Sequence, residues 1–411
     1  MQLKNLHLLF FLLSFTALNA QNHPTCDGAR YIEDVFTDVE VTEGINFGSA
    51  TTISGNAKEL DMDIYEPSGD VVENRPVIIL GFGGSFIGGT RQDLDFLCRA
   101  YAKKGFVAVT IDYRLYDGSL LPLPSAETMQ DVVTKTVADF KAAVRFFRED
   151  ADGTNEYGVD PNLVFLGGVS AGGIAAAHAA VMDDSDTYSD ELEAIITANG
   201  GLEGNSSDNL QYSSEVQGFV NFSGGLGDAD WIDENDPPFF SIHDDMDGTV
   251  PYGEGFASIF GFDIIAMDGS QIMSQVADAN NVLNELVTIE GSTGHVSYFG
   301  SQPSTTESID ASSVFLENLI CNVIVMTNAS EVNSPLNSLI VYPNPTEGML
   351  FLKGEETMSL SITLRDVLGK EMMYLENVRS LDLSAVAKGM YFVEVKNLES
   401  LDVVVKRVVV E

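Results

Sequence analysis

The stretch Leu163–Met182 constrains the fold more than any other part of the chain. It reads LVFLG, then GVSAGG, then IAAAHAAVM: an apolar strand, a glycine-bounded turn and an alanine-rich helix. A tight strand-to-helix elbow brings backbones close on both sides of its apex. Gly168 and Gly172 fit such a turn, because a Cβ at either position would clash. The apex residue is Ser170, held near a helix N-terminus, where amide dipoles favour developing negative charge.

The surrounding sequence repeats the same grammar. From Tyr65 onward, strand-like and helix-like segments alternate. Strands are expected at Arg75–Gly81, Gly105–Asp112, Asn162–Gly167, Val216–Phe222, Pro238–His243 and Glu285–Glu290. Helical spacing over Met129–Asp150 puts Val132, Val133, Val137, Phe140, Ala143, Val144 and Phe147 on one face. Near-continuous apolar strands between helices predict a mostly parallel central sheet covered on both faces, an α/β domain ending near Cys321. The texture then changes. Thr327–Ser338 is rich in Asn, Ser and Pro, as a linker is. Short strands without long helices follow at Leu339–Tyr342, Met349–Leu352, Ser359–Arg365, Met390–Val395 and Val403–Val409, which predicts a small C-terminal β-sandwich. The expected organisation is a signal over residues 1–20, a catalytic domain over 21–321, a linker over 322–337 and the small domain over 338–411.

Charge and termini narrow the setting. Acidic residues outnumber basic ones by 62 to 21, a formal net charge of -41. Binding to nucleic acid or to an anionic membrane needs Lys and Arg, so neither is an expected partner. The balance suits a solvated extracellular surface, where salt screens self-repulsion. The first residues form a removable export signal: Lys4 gives the positive start, Leu8–Leu13 the apolar core, and Ala17-Leu18-Asn19-Ala20 the cleavage site before Gln21. That apolar run is too short for a stable span, and no other membrane-crossing candidate is visible. Of Cys26, Cys98 and Cys321, one pair can form a disulfide in an oxidising compartment. Sequence does not choose it. A clasp between Cys26 and Cys321, which bracket the main domain, is the preference.

Acyl transfer at a serine needs a base, an acid to orient it, and N–H donors for the oxyanion. Five histidines are available for the base. His7 leaves with the signal, His23 lies in the N-terminal tail, and His178 sits inside the helix after the elbow. His295 follows the strand ELVTIE in the flexible turn Gly291-Ser292-Thr293-Gly294-His295, where a loop can deliver it to Ser170. His243, which ends a buried strand, is the alternative. The acid lies between them, after the strand Pro237–His243, where Asp244, Asp245 and Asp247 compete. Spacing alone barely separates the three. One oxyanion donor is the amide of Ala171, directly after the nucleophile. The others come from the glycine-rich turn Gly81-Phe82-Gly83-Gly84-Ser85-Phe86. That turn lacks the G-x-G-x-x-G spacing, P-loop lysine and ribose-binding acid of a nucleotide site.

These residues resemble a family. The order Ser170, Asp247, His295 is that of the α/β-hydrolase fold. From about Asp61 to Phe315 the chain looks like the carboxylesterase and hormone-sensitive-lipase-like branch. The match rests on the turn Phe82–Phe86, on Asp112-Tyr113-Arg114-Leu115, on the Gly168–Gly172 elbow, and on His243 followed by Asp247 and Val250-Pro251. The resemblance implies Asp247 as the acid and the amides of Gly84, Ser85 and Ala171 as the oxyanion donors. Phe82 departs from the histidine common in the family, which braces this loop, so Phe82 must brace by packing. The tail from Ser338 to Glu411 is similar to the type A C-terminal sorting domain of type IX secretion, through Val341-Tyr342-Pro343-Asn344-Pro345, Thr346-Glu347-Gly348, Asp366-Val367-Leu368-Gly369-Lys370 and Gly389-Met390-Tyr391-Phe392-Val393. It implies export through that machinery to the cell surface or beyond.

The expectation is a secreted or cell-surface serine carboxylic-ester hydrolase working through an acyl-enzyme. Its substrates would be acetyl, feruloyl or other short-chain esters, free or linked to polysaccharide. A lipase or polyester hydrolase is the nearest rival, and a non-catalytic surface adhesin on the same scaffold the rival of another class. The chemistry requires no metal or organic cofactor. The acidic stretch Asp183-Asp184-Ser185-Asp186 reads as a solvated loop, and Asp183–Tyr212 as part of a lid or pocket wall.

Overall fold

A computed structural model describes residues 25–321 and, in the tail, residues 340–342, 346, 348–353, 359–366, 371–398 and 403–410. The expected signal and linker lie outside the described residues. The chain divides into two compact units, Met1–Ile324 and Val325–Glu411.

The first unit opens with two long strands that the alternation did not reveal, β1 (Val39–Thr51) and β2 (Ala57–Pro67). Then come β3 (Arg75–Gly81), α1 (Asp95–Lys104), β4 (Val107–Ile111), α2 (Ala126–Asp152), β5 (Val159–Val169), α3 (Ala171–Val181) and α4 (Asp190–Ala198). The run closes with β6 (Gly218–Phe222), β7 (Gly225–Leu226), β8 (Phe239–Asp244), β9 (Glu254–Ile259), β10 (Phe262–Gly269), α5 (Ser270–Ala279), β11 (Asn284–Ile289) and α6 (Gln302–Cys321). Eight strands form one sheet in the order β1-β2-β4-β3-β5-β6-β8-β11. β1 and β2 pair antiparallel, as do β2 and β4, and every later neighbour is parallel. All seven residues of β3, and all of β4 and β6, are buried. Helices cover both faces, so these strands need no polar side. This is the α/β-hydrolase architecture.

Local chemistry explains the longest covering helix. The Ser125 side chain accepts a hydrogen bond from the Thr128 amide and caps α2. Val132, Val137, Phe140, Ala143, Val144 and Phe147 then bury the stripe read from the sequence. Arg114 lies between β4 and α2 with its guanidinium buried against Asp139, 2.9 Å away. It also reaches Ser206, Asn205 and the carbonyl of Lys135, which ties the 200–207 loop to the core. Cys26 and Cys321 are bonded, with Cα atoms 5.6 Å apart, while Cys98 is free and buried.

The second unit consists of two antiparallel sheets. One contains β12 (Ile340–Tyr342), β13 (Met349–Lys353) and β16 (Ser380–Asp382). The other contains β15 (Glu371–Glu376), β14 (Leu360–Asp366), β17 (Gly389–Asn397) and β18 (Val403–Val410). Leu350 and Leu352 from the first and Ile362, Leu364, Val393 and Val395 from the second share one apolar core.

Candidate active site

β5 ends at Val169, Ser170 forms the turn, and α3 begins at Ala171. Ser170 is held at φ 54° and ψ −117°, a conformation that L-residues rarely adopt. Packing of the neighbouring backbones enforces it. A Cβ on Gly172 would stand 2.0 Å from the Gly81 carbonyl oxygen, and one on Gly168 would stand 2.3 Å from the Gly172 carbonyl carbon. The Ser170 amide donates to the Phe222 carbonyl at 2.8 Å, which anchors the apex to β6.

His295 comes from the loop after β11. Its Nε2 lies 2.7 Å from Ser170 Oγ, and its Nδ1 lies 2.6 Å from Asp247 Oδ2. These contacts assign the tautomer: Nδ1–H donates to the carboxylate and Nε2 accepts from the serine hydroxyl. Asp247 Oδ1 accepts the amides of Thr249 and Val250 at 2.7 and 3.2 Å. Burial would raise the Asp247 pKa, but hydrogen bonds from His243 and His295 outweigh it and hold the carboxyl well below the usual carboxylate range.

The three aspartates that spacing could not separate have separate partners. Asp245 accepts the amides of Gly291 and Ser292 at 2.9 and 3.0 Å. Asp244 accepts the Ser297 amide at 3.0 Å and also its hydroxyl. Both therefore anchor the ends of the loop that carries His295, and only Asp247 touches the imidazole. Val296 in that loop adopts φ 51°, unusual for a β-branched residue. His243 stands behind Asp247 rather than beside the serine. It is fully buried, with Nε2 at 3.2 Å from the Val250 carbonyl and 3.4 Å from Asp247 Oδ2, and with Nδ1 at 2.8 Å from Ser270 Oγ.

The glycine-rich turn closes over Ser170. Gly83 packs so tightly that a Cβ there would lie 3.3 Å from the Ser170 Cβ. Gly84, Ser85 and Phe86 have φ values of 133°, 54° and 59°. A Cβ on Gly84 would meet the Gly88 carbonyl oxygen at 2.2 Å. Phe82 is buried and stacks on Tyr113 with ring centroids 4.2 Å apart, and the Tyr113 hydroxyl donates to the Phe82 carbonyl at 2.7 Å. Stacking thus braces the loop where the related family has a histidine. Ser85, Phe86, Ser170 and Ala171 line one cavity.

The family model BD-FAE matches residues 62–228, and the model Secretion system C-terminal sorting domain matches residues 340–411. The larger part of the chain is thus similar to an esterase domain of the α/β-hydrolase fold, and its tail to a secretion sorting domain. A sorting domain of this kind directs its carrier to the cell surface or outside the cell. The chain is similar to Esterase LipC of Mycobacterium tuberculosis, 26% identical over 46% of this chain and 49% of that protein. It is 30% identical to Fumonisin B1 esterase of Sphingopyxis macrogoltabida, over 37% of this chain and 27% of that one. A rice protein described as a probable isoprenylcysteine alpha-carbonyl methylesterase is 30% identical over 31% of this chain and 27% of its own length. The chain thus spans about half the length of the first curated relative and about a quarter of the other two. The solved structure of Thermogutta terrifontis esterase 2 phosphoramylated by tabun is similar with a TM-score of 0.49 and 22% identity, covering 68% of this chain and 93% of that one.

The cavity beside Ser170, about 240 Å³, is walled mostly by apolar side chains. Met129, Val133 and Val137 come from α2, Leu192 and Ile196 from α4, and Met182, Leu202 and Trp231 from the loops around them. Residues expected to form a pocket wall within 183–212 do line it. The β9–β10 hairpin also lines it, through Ala257, Ile259, Ile264 and Met267, and nothing in the sequence pattern pointed there. His178 is another wall residue. Its Nδ1 lies 2.7 Å from the Ile174 carbonyl, its Nε2 accepts the Gly227 amide at 3.1 Å, and burial pushes its pKa down to about 4. It is a neutral structural imidazole. Among the described residues, no helix is long and apolar enough to cross a membrane, and no group of three or more His, Cys, Asp or Glu residues is arranged to hold a metal ion.

Proposed function

We propose that the chain is a secreted serine carboxylic-ester hydrolase, with Ser170 as nucleophile, His295 as base and Asp247 as the orienting acid. The reading rests on one observation: the unbroken hydrogen-bond path from Ser170 Oγ through His295 to Asp247 Oδ2, at the wall of an apolar cavity. His295 Nε2 takes the Ser170 proton as Oγ attacks the ester carbonyl. Asp247 holds the tautomer and stabilises the imidazolium. The amides of Gly84, Ser85 and Ala171 receive the oxyanion. His295 returns the proton to the departing alcohol, and water then releases the acyl group by the same route in reverse.

Acetyl, feruloyl or other short-chain esters are the proposed substrates, free or carried on a polysaccharide. The apolar cavity favours a second reading, a lipase or polyester hydrolase, because a long aliphatic acyl group would bury itself there. The type IX secretion machinery is the proposed export partner of the tail. The proposed division of the chain is a signal over 1–20, a catalytic domain over 21–321, a linker over 322–337 and a sorting domain over 338–411.

Ser170→Ala tests the assignment. It should abolish hydrolysis of p-nitrophenyl acetate and butyrate, and abolish labelling by a fluorophosphonate, with an unchanged circular dichroism spectrum. A chain that never labels is an adhesin on this scaffold. Labelling that survives the substitution overturns the choice of Ser170.

A further inference from the structure

The β9–β10 hairpin stands out on the surface of the esterase domain. It is a hairpin inserted between Asp247 and α5, its β10 strand also pairing with β7, with Phe260 and Gly261 at its tip in left-handed conformations, φ 54° and 79°. Three phenylalanines point into solvent: Phe256, Phe260 and Phe262 are 54%, 72% and 64% exposed. Large apolar side chains grouped this way mark a contact surface more often than a bland one.

We propose that this hairpin docks the enzyme on the uncharged surface of an aggregated neutral ester, such as an emulsified glyceride. The inference rests on the esterase reading of Ser170. Three observations select this partner. Thr249–Gly269 contains no Lys, Arg or His, and its charged side chains are Glu254, Asp263 and Asp268. With a net charge of -41 on the whole chain, an anionic headgroup or polyanionic glycan is repelled. The exposed large apolar side chains are all phenylalanine, with no polar tip to hydrogen-bond a sugar, so their gain comes from leaving water for an apolar phase, and the exposed carboxylates beside them, Glu254 and Asp263, further disfavour an anionic surface. The same hairpin continues into the site: Ala257, Ile259, Ile264 and Met267 line the cavity that ends at Ser170. An acyl chain leaving the apolar phase would therefore reach the serine along apolar wall. The hairpin is also fixed to the loop of the acid. The Ser258 amide donates to the Thr249 carbonyl at 2.8 Å, and the Ser258 hydroxyl donates to the Gly248 carbonyl at 2.9 Å. These bonds hold it beside the site.

The test separates docking from chemistry. Full-length Ser170→Ala protein is mixed with tributyrin droplets, and the bound fraction is read by flotation. Binding is expected for that chain, and none to phosphatidylglycerol vesicles. Adding Phe256→Ser, Phe260→Asn and Phe262→Ser should cut the partition about a hundredfold, because each exposed ring contributes roughly fivefold on entering an apolar phase. In the active chain, the same three changes should leave soluble p-nitrophenyl acetate hydrolysis within about twofold, and should slow droplet hydrolysis steeply. Should the triple variant lose its melting transition, Phe260→Asn alone replaces it, with about a fivefold loss expected. Failure of the parent chain to float, or retained flotation by the variant, overturns the docking surface. So does light scattering that shows the parent as a dimer and the variant as a monomer, since a second copy would then cover the rings. Flotation and light scattering do not depend on hydrolysis, so the Ser170 assignment stands or falls separately.

Discussion

Replacing Asp247 by asparagine, with Asp244→Asn and Asp245→Asn in parallel, asks whether the three neighbouring carboxylates do different work. Asp247 Oδ2 receives the His295 Nδ1–H at 2.6 Å and faces His243 Nε2 at 3.4 Å. Its other oxygen is occupied by the Thr249 and Val250 amides. An asparagine that keeps those two amides must present its own N–H₂ to His295. The imidazole then takes the other tautomer, with a proton on Nε2, and cannot accept from Ser170 Oγ. The charge that stabilises the imidazolium is lost as well. In well-studied serine triads this change costs about 10⁴ in kcat, so a loss of about 10³ to 10⁴ is expected here, or about 4 to 5.5 kcal/mol in the barrier. Asp245→Asn still accepts one of its two amides, and water reaches the other from the exposed side. Asp244→Asn can keep the Ser297 amide while the Ser297 hydroxyl turns to accept. Each should cost about 1 kcal/mol of stability and less than about tenfold in kcat/KM. The assay is kcat/KM for p-nitrophenyl butyrate at saturating folded protein, checked by thermal melts. If Asp247→Asn retains more than about a tenth of the activity, or if Asp244→Asn matches its loss, the assignment of the acid is wrong.

Two other expectations can be checked by melting experiments. Gly172→Ala should prevent soluble expression or cost at least about 4 kcal/mol, since its Cβ would stand 2.0 Å from a backbone oxygen, whereas Gly88→Ala, with open space around it, should melt like the parent. Asp236→Asn should stabilise the protein near pH 8 and change little near pH 4. The Asp236 pKa is raised from 3.8 to about 7 by burial and then by the charges of Asp233, Asp183 and Asp186. The carboxyl is protonated in both states at low pH, and its ionisation penalty grows as pH rises from about 4 to about 7. Partial exposure and screening reduce the effect to about 1 kcal/mol, and added salt should shrink it further.

How much of this was legible in the chain depended on range. The elbow is local: glycines, serine and helix lie within twenty consecutive residues, and sterics within that stretch fix the turn. The parallel sheet was legible because buried strands carry unbroken apolar runs. The β1–β2 hairpin was not, because its outer strand is half exposed and interrupted by bulges at Thr42/Ile45 and Asn46/Gly48. The braced glycine-rich loop shows the same division. The glycines announced a tight turn, but that Phe82 stacks on Tyr113 follows from β3 and β4 lying side by side.

The sequence by itself determined a serine at a strand-to-helix apex, the small set of histidines from which a base could come, and a tail built for sorting. These follow from residue identity and short-range sterics. Only the tertiary structure gave the three aspartates separate partners, because three carboxylates within four residues differ only in which way the loop turns them. It also decided that His243 stands behind Asp247, and that a hairpin with no signal in the sequence pattern walls the cavity. Those outcomes depend on contacts closed across 48 residues between Asp247 and His295 and 125 between Ser170 and His295. No local pattern encodes such distances, because the packing of the whole sheet sets them.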